Sequence, residues 1–372
     1  MSSVTRPQGS PLARYLLTAY ALLLAYATLH PLTGWRDRGA SPWTFLSAPL
    51  PQHVVAFDTI ANVVAYIPMG FLAVLALHPW CRGASAVAMA TAFAIAVSAC
   101  LEAAQSYLPN RVPSNLDLLL NALGSLTGAL LGAASIQRVL YNAVLIRLRE
   151  SWFRPGGRTD IGLVIIALWL LTQLNPETLL FGTGYLRSIV DTLPSTPHPP
   201  EMFVRVEAIV SAAHLIALGL FLSALIHSRR PVWLVVLIVV ALALGMRSIV
   251  FAAFFGTPRM FGWATQGALF GLVIGLVTLA IVGRVRNRRS RIAIAGVVLM
   301  VATVMANVAP GNPYRAESLK VWSTGQFLNF YGLTGFISMT WPFIALTYLI
   351  GVAIPTRGRV DDHSRRGPNT KA

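Results

Sequence analysis

About ten stretches of roughly 20 predominantly apolar residues follow one another along this chain, with cores near residues 12–31, 56–78, 84–108, 115–136, 160–181, 203–227, 231–255, 261–283, 291–309 and 325–353. A bilayer core about 30 Å thick takes about 20 helical residues to cross. In lipid a spanning segment must satisfy its own backbone hydrogen bonds, so runs of this length fold as helices. Composition agrees: 55% of residues are apolar and only 11% charged, and the mean hydropathy of +0.65 is too high for a water-soluble globule. The chain therefore reads as an all-α, multi-pass transmembrane helical bundle of about ten spans.

A net charge of +16 would point to nucleic acid in a soluble protein, but here the cations gather in short connections between apolar runs. Arg138, Arg147, Arg149, Arg154 and Arg158 share one connection and Arg229 and Arg230 another; Arg284, Arg286, Arg288, Arg289 and Arg291 crowd a third. Arg357, Arg359, Arg365, Arg366 and Lys371 fill the tail. With alternating spans these all fall on the side of the N-terminus, which the positive-inside rule makes cytoplasmic. Both termini are expected inside, in a bacterial inner or plasma membrane, with no nucleic-acid partner. Connections such as LPSTPHPP, residues 193–200, are expected outside. The first run continues to spanning length without a small-residue cleavage site, as a retained helix does. Cys81 and Cys100 stand at opposite ends of one run, so no mutual disulfide is expected.

Spacing hints at internal repetition. Gly124, Gly128 and Gly132 on the fourth run recur as Gly267, Gly271 and Gly275 on the eighth, each a ridge that lets helix backbones approach closely. Asp58 and Gly70 are echoed by Glu207 and Gly219 at the same separation. This is compatible with a 4+4+2 arrangement: a four-helix domain over 1–140, a basic cytoplasmic linker over 141–159, a diverged second four-helix unit over 160–283, a terminal helix pair over 284–353 and a basic, disordered tail over 354–372.

Into this apolar chain the stretch 57–132 introduces Asp58, Asn62, Glu102, Gln105, Arg111, Asp117 and Asn121. At about 1.5 Å rise per residue, Asp58, Gln105 and Asp117 lie roughly one turn inside the outer boundary. Asn62, Glu102 and Asn121 lie a turn deeper. The pairs Asp58/Asn62, Glu102/Gln105 and Asp117/Asn121 each occupy one helix face, so three polar faces can converge on one outward pocket, with Arg111 in the outer turn above it. Three carboxylates in a low-dielectric site must bind a cation, pair with Arg111 or take up a proton. Pro68 lacks an amide inside the second run, which favours a kink and an opening there. The alternative is a network of interhelical hydrogen bonds, each worth about 0.6 kcal/mol on average, but such a network does not call for three carboxylates near an arginine.

The pattern Asp58-xxx-Asn62-x5-Pro68-x-Gly70, followed by Glu102-xx-Gln105-x5-Arg111-x5-Asp117-xxx-Asn121-xx-Gly124-xxx-Gly128, resembles the signature of the VanZ-like family, named after a teicoplanin-resistance determinant. The resemblance covers about residues 12–136. It implies a four-helix membrane domain, associated in some members with tolerance of glycopeptide or lipoglycopeptide antibiotics. Most members carry one such unit, so the further helices here go beyond the simplest pattern.

In the second unit Glu207 and Arg247 present an acid to a base and are expected to form a structural ion pair, and His214 reads as a packed, hydrogen-bonded histidine. Asn329 and Gln326 belong to either unit. Three functions remain open: binding of a lipid-linked envelope precursor headgroup or an amphiphilic antibiotic; a membrane enzyme acting on such a headgroup, with a divalent cation held by Asp58, Glu102 and Asp117; and an ion-coupled transporter with Glu102 as the titrating group. No cofactor is evident beyond that cation, and membrane lipids or a lipid-linked cell-wall precursor are the expected partners.

Overall fold

The computed structural model describes residues 10–51, 56–186, 199–227, 230–285, 287–308 and 328–354. The expected tail and most of the LPSTPHPP connection lie outside the described residues. Among the described residues the protein is helical, with one isolated β-bridge between Phe153 and Ile226. The helices are α1 Pro11–Leu29, α2 Ala56–Leu77, α3 Gly83–Gln105, α4 Asn115–Leu140, α5 Ala143–Trp152, α6 Gly157–Thr172, α7 Pro200–Leu225, α8 Val232–Phe255, α9 Gln266–Val282, α10 Arg288–Val308 and α11 Leu328–Ala353.

Each of the ten apolar runs contains a helix, but among the described residues only eight helices are long and apolar enough to cross a membrane: α1 to α4, α7, α8, α10 and α11. The other two, α6 with 16 residues and α9 with 17, are shorter than the runs predicted. For α6 the physical reason lies in Asn175-Pro176. A residue before proline is driven out of the helical region, and α6 stops at Thr172, leaving Gln173–Leu186 as irregular chain. The linker expected over 141–159 also differs, because ten of its residues form α5. Asn142 starts that helix, its side-chain oxygen accepting the amides of Val144 at 2.9 Å and Leu145 at 3.3 Å.

The tightest contact of the N-terminal half joins α2 to α4, and glycine makes it possible. A Cβ on Gly124 would sit on the Val63 carbonyl, one on Gly128 on the Ile67 carbonyl, and one on Gly70 on the Ser125 carbonyl. Backbone therefore meets backbone, with Pro68 inside an α2 that runs without interruption. The second half reuses the device. On α9, a Cβ on Gly267 would lie 2.7 Å from the Val204 carbonyl and one on Gly271 2.8 Å from that of Ala208, which seats α9 on α7. Helices α10 and α11 share one apolar core with α6 to α9, built around Trp169, Leu218, Phe221, Leu299 and Trp341. Helix α1 joins the two halves, Tyr26 stacking on Phe336 of α11 with ring centroids 4.2 Å apart.

Gly128→Leu should force α4 away from α2 and destabilise the protein by about 1–3 kcal/mol, the usual cost of overpacking. Gly245→Ala, at a position with open space around it, should be neutral. Thermal unfolding of the detergent-solubilised protein compares the two; equal midpoints would mean that the interface tolerates a side chain.

Candidate functional site

The α2–α4 contact sets the register of the polar residues. Above the glycines, Asn62 on α2 hydrogen-bonds the carboxylate of Asp117 on α4, and the charge of Asp58 acts on the same group. Asp58 is exposed and Asn62 and Asp117 are half-buried. Across from them on α3, Glu102 is 4% exposed and its Oε2 accepts the backbone amide of Ser114 at 2.9 Å. Ser114 is the N-cap of α4, its hydroxyl accepting the amide of Asp117 at 3.3 Å. Glu102 thus meets an unpaired amide and the positive end of the α4 dipole together, which accounts for an acid buried at this depth.

Arg111, in the turn between α3 and α4, donates from Nη2 to the His30 carbonyl at 2.7 Å, and its charge acts on Glu102. Burial pulls the guanidinium below its ordinary pKa, and Glu102 opposes that shift. Gln105 turns the other way: its Nε2 donates to the Thr28 carbonyl at 3.2 Å and ties α3 to α1. Asn121 lies deepest, its Nδ2 donating to Ser98 Oγ at 2.9 Å, while its buried Oδ1 has no hydrogen-bond partner among the described residues. Tyr66 also hydrogen-bonds Ser98.

The seven residues therefore gather at one end of the bundle but divide their contacts, with Asp58, Asn62 and Asp117 at the α2–α4 seam, Glu102 and Arg111 at the α3–α4 turn, Asn121 beneath and Gln105 facing α1. Among the described residues no three Asp, Glu, His or Cys side chains come together as a metal site, so Asp58, Glu102 and Asp117 do not form a three-carboxylate cage. Sequence reasoning missed Tyr66 and Ser98. Both stood one helical turn beyond residues it had chosen, Tyr66 after Asn62 and Ser98 before Glu102, so extending each polar face by four residues would have found them.

A cavity of about 310 Å³ opens beside this turn, lined by Asp37, Arg38, Ser41, Thr44, Tyr107 and Pro113 among others. The α1–α2 connection forms its roof. That connection is fastened by Arg36 N–H to the Tyr107 carbonyl at 2.9 Å, by Arg38 Nη2 to the Leu108 carbonyl at 2.5 Å, and by Asn115 Nδ2 to the Ala48 carbonyl at 2.5 Å. None of the seven lines the cavity, but its wall includes Ser106 and Val112, the chain neighbours of Gln105 and Arg111.

Residues 12–136 match the VanZ/LLP1 family. The match runs from α1 into α4, so the VanZ-like unit contains the whole polar cluster and the residues around the cavity. It covers about a third of the chain. No curated protein and no solved structure matches the sequence.

Beyond the VanZ-like unit, the polar residues of the second half serve the irregular segment after α6. His214 accepts the Thr183 amide at Nε2, 3.2 Å away, and its Nδ1 lies 2.9 Å from the Val210 carbonyl. Arg247, 1% exposed, donates to both the hydroxyl and the carbonyl of Thr178. Asn307 donates to the Gly184 carbonyl at 2.6 Å and accepts the Leu186 amide at 2.7 Å. Glu207 accepts the hydroxyl of Thr265, the N-cap of α9, at 2.6 Å. These contacts take Arg247 toward the α6–α7 connection and Glu207 toward α9. Gln326 and the side chain of Asn329 lie outside the described residues.

Ser98→Ala removes the hydroxyl that Asn121 and Tyr66 share and should cost about 1–3 kcal/mol, because buried polar groups lose their partner. Adding Asn121→Leu should cost less than the sum of the two single changes. Thermal unfolding of the four proteins checks this, and strict additivity would mean that the network does not couple the two residues.

Proposed function

We propose that the VanZ-like unit binds the headgroup of a lipid-linked envelope precursor, or of an amphiphilic antibiotic, in an outward-facing polar pocket. The observation that carries this reading is the cavity of about 310 Å³ at the α3–α4 turn, with Arg38 and Tyr107 in its wall and the buried Glu102 behind it. In the orientation favoured by the positive-inside rule, this end of the bundle faces outward, within reach of headgroups in the outer leaflet. An arginine-bearing rim suits phosphate or carboxylate, which guanidinium groups bind through paired, charge-assisted hydrogen bonds. Tyr107 adds an amphipathic surface for a sugar or peptide moiety. A contribution to glycopeptide tolerance would follow if the pocket captured the antibiotic or masked the precursor that it targets.

The enzymatic alternative, with a cation held by Asp58, Glu102 and Asp117, has less support because Glu102 is engaged by the Ser114 amide and Asp117 by Asn62. The transport alternative needs a path inward. Below Asn121 the α2 and α4 backbones touch at Gly124 and Gly128, which leaves no room between these two helices.

Glu102→Gln keeps an oxygen for the Ser114 amide, so the variant should fold and insert yet lose function. Arg38→Ala, in the cavity wall, should lower headgroup affinity about tenfold, the equivalent of about 1.4 kcal/mol. Native mass spectrometry of protein gently extracted from its own membranes reads both. A discrete lipid-sized adduct on the wild type, reduced in each variant, is the expected result; the same adduct on all three proteins, or none on the wild type, would overturn the assignment.

A further inference from the structure

At the opposite end of the bundle, where α7 finishes and α10 begins, three arginines meet. Arg154 donates its backbone amide to the Leu225 carbonyl at 2.9 Å and its Nε to the Ile226 carbonyl at 3.1 Å. Arg288, the first residue of α10, reaches the Ala224 carbonyl from Nη2 at 3.4 Å. Arg158 stands in the first turn of α6, where its carbonyl accepts the hydroxyl of Tyr348 from α11 at 2.9 Å. The side chains are close enough that the charges of Arg154 and Arg158 both act on Arg288, together with the Tyr348 phenol. Four helices and one connection thus bring three cations and a hydroxyl to one place.

Capping of α7 accounts for part of this arrangement, since cations stabilise a helix C-terminus. It does not account for all of it. A guanidinium has five N–H donors in a planar fork, and the α7 carbonyls take one from the Arg154 side chain and one from Arg288. Arg288 Nε is buried with no hydrogen-bond partner among the described residues, and so is Arg291 Nε one turn further on. The nearby Asp160 is engaged by Arg149. Like charges held together at a membrane boundary repel one another unless an anion sits among them. A phosphate group has the charge and the acceptor oxygens to do this.

Helix α5 lies at this end of the bundle. It exposes Val144, Leu145 and Leu148, and Arg147 lies on the same helix. At its end the Arg230 guanidinium lies over the Trp152 ring, 5.3 Å from the centroid. A short helix of this kind lies in the interfacial plane with its apolar residues among acyl chains and its cations among headgroups.

We propose that Arg154, Arg158 and Arg288 form a phosphate-binding site that takes the headgroup of an anionic phospholipid at the arginine-rich end of the bundle. The lipid ties the ends of α7, α10 and α11 to the α5–α6 connection. Basic sites between helix ends are a recurrent mode of anionic lipid recognition. The site does not rest on the function proposed for the VanZ-like unit, which lies at the other end of the molecule.

The test uses the full chain, delipidated in neutral detergent, and follows thermal unfolding while phosphatidylglycerol, phosphatidylcholine or inorganic phosphate is titrated in. Phosphatidylglycerol should raise the wild-type midpoint well beyond phosphatidylcholine. Arg158→Gln with Arg288→Gln should weaken that response about tenfold, and Arg284→Gln, an exposed cation of the neighbouring connection, should leave it intact. If the double variant does not fold, Arg158→Gln alone carries the comparison, because it leaves the contacts of Arg154 and Arg288 with α7 in place. An equal response to inorganic phosphate would keep the site and make its ligand a soluble phosphate. Equal responses of the wild type to the two lipids, or an undiminished preference in the variant, would overturn the proposal.

Discussion

The contact of α2 with α4 through Gly70, Gly124 and Gly128 is what the VanZ-like unit is built on. Without side chains between them the two backbones lie against each other, a separation at which a slip in register would drive Cβ atoms into carbonyls. That fixes which residue of α2 faces which residue of α4, and so brings Asn62 to Asp117 with Asp58 close by. Helix α3 is then positioned by polar contacts. Glu102 accepts the amide of Ser114, the N-cap of α4, and Asn121 reaches back to Ser98. Packing sets the frame and hydrogen bonds aim the chemistry within it.

The second half solves a different problem. Its fifth apolar run is broken by Asn175-Pro176, and Gln173–Leu186 follows as backbone that no helix satisfies. At membrane depth such backbone persists only where protein groups meet its amides and carbonyls. His214, Arg247 and Asn307 supply partners from three separate helices, and the Ser338 carbonyl takes the Gly184 amide. Polar residues that look like isolated events in three apolar runs have a common purpose here. The same economy appears where Arg154 and Arg288 meet the end of α7, although three arginines bring more donors than that helix end can use.

The helical character of the chain and the position of each apolar run were legible because hydropathy is a local property and the bilayer imposes one length scale. The polar cluster was legible for a related reason, since Asp58, Glu102 and Asp117 are costly in lipid and stand out against their neighbours. The family resemblance over residues 12–136 rests on that same pattern and agrees with the match found for them. Local signals were less informative where a helix ends. The run at 160–181 counted as one span because its hydropathy hardly changes across Asn175-Pro176, and α5 escaped notice because ten residues with several arginines resemble a linker.

What the sequence determined by itself was the solvent of each segment: which residues enter lipid, which small residues allow helices to touch, and which polar residues require an explanation. What only the tertiary structure decided was the partner of each polar group. Glu102 takes the Ser114 amide, Gln105 turns to α1, and Arg247 holds Thr178, because a hydrogen bond depends on distance and direction across elements far apart in the chain. The cavity was equally beyond reach of the sequence. It exists because the α1–α2 connection folds back over the α3–α4 turn through Arg36, Arg38 and Asn115, three residues whose composition and spacing mark them only as ordinary members of exposed connections or helix ends.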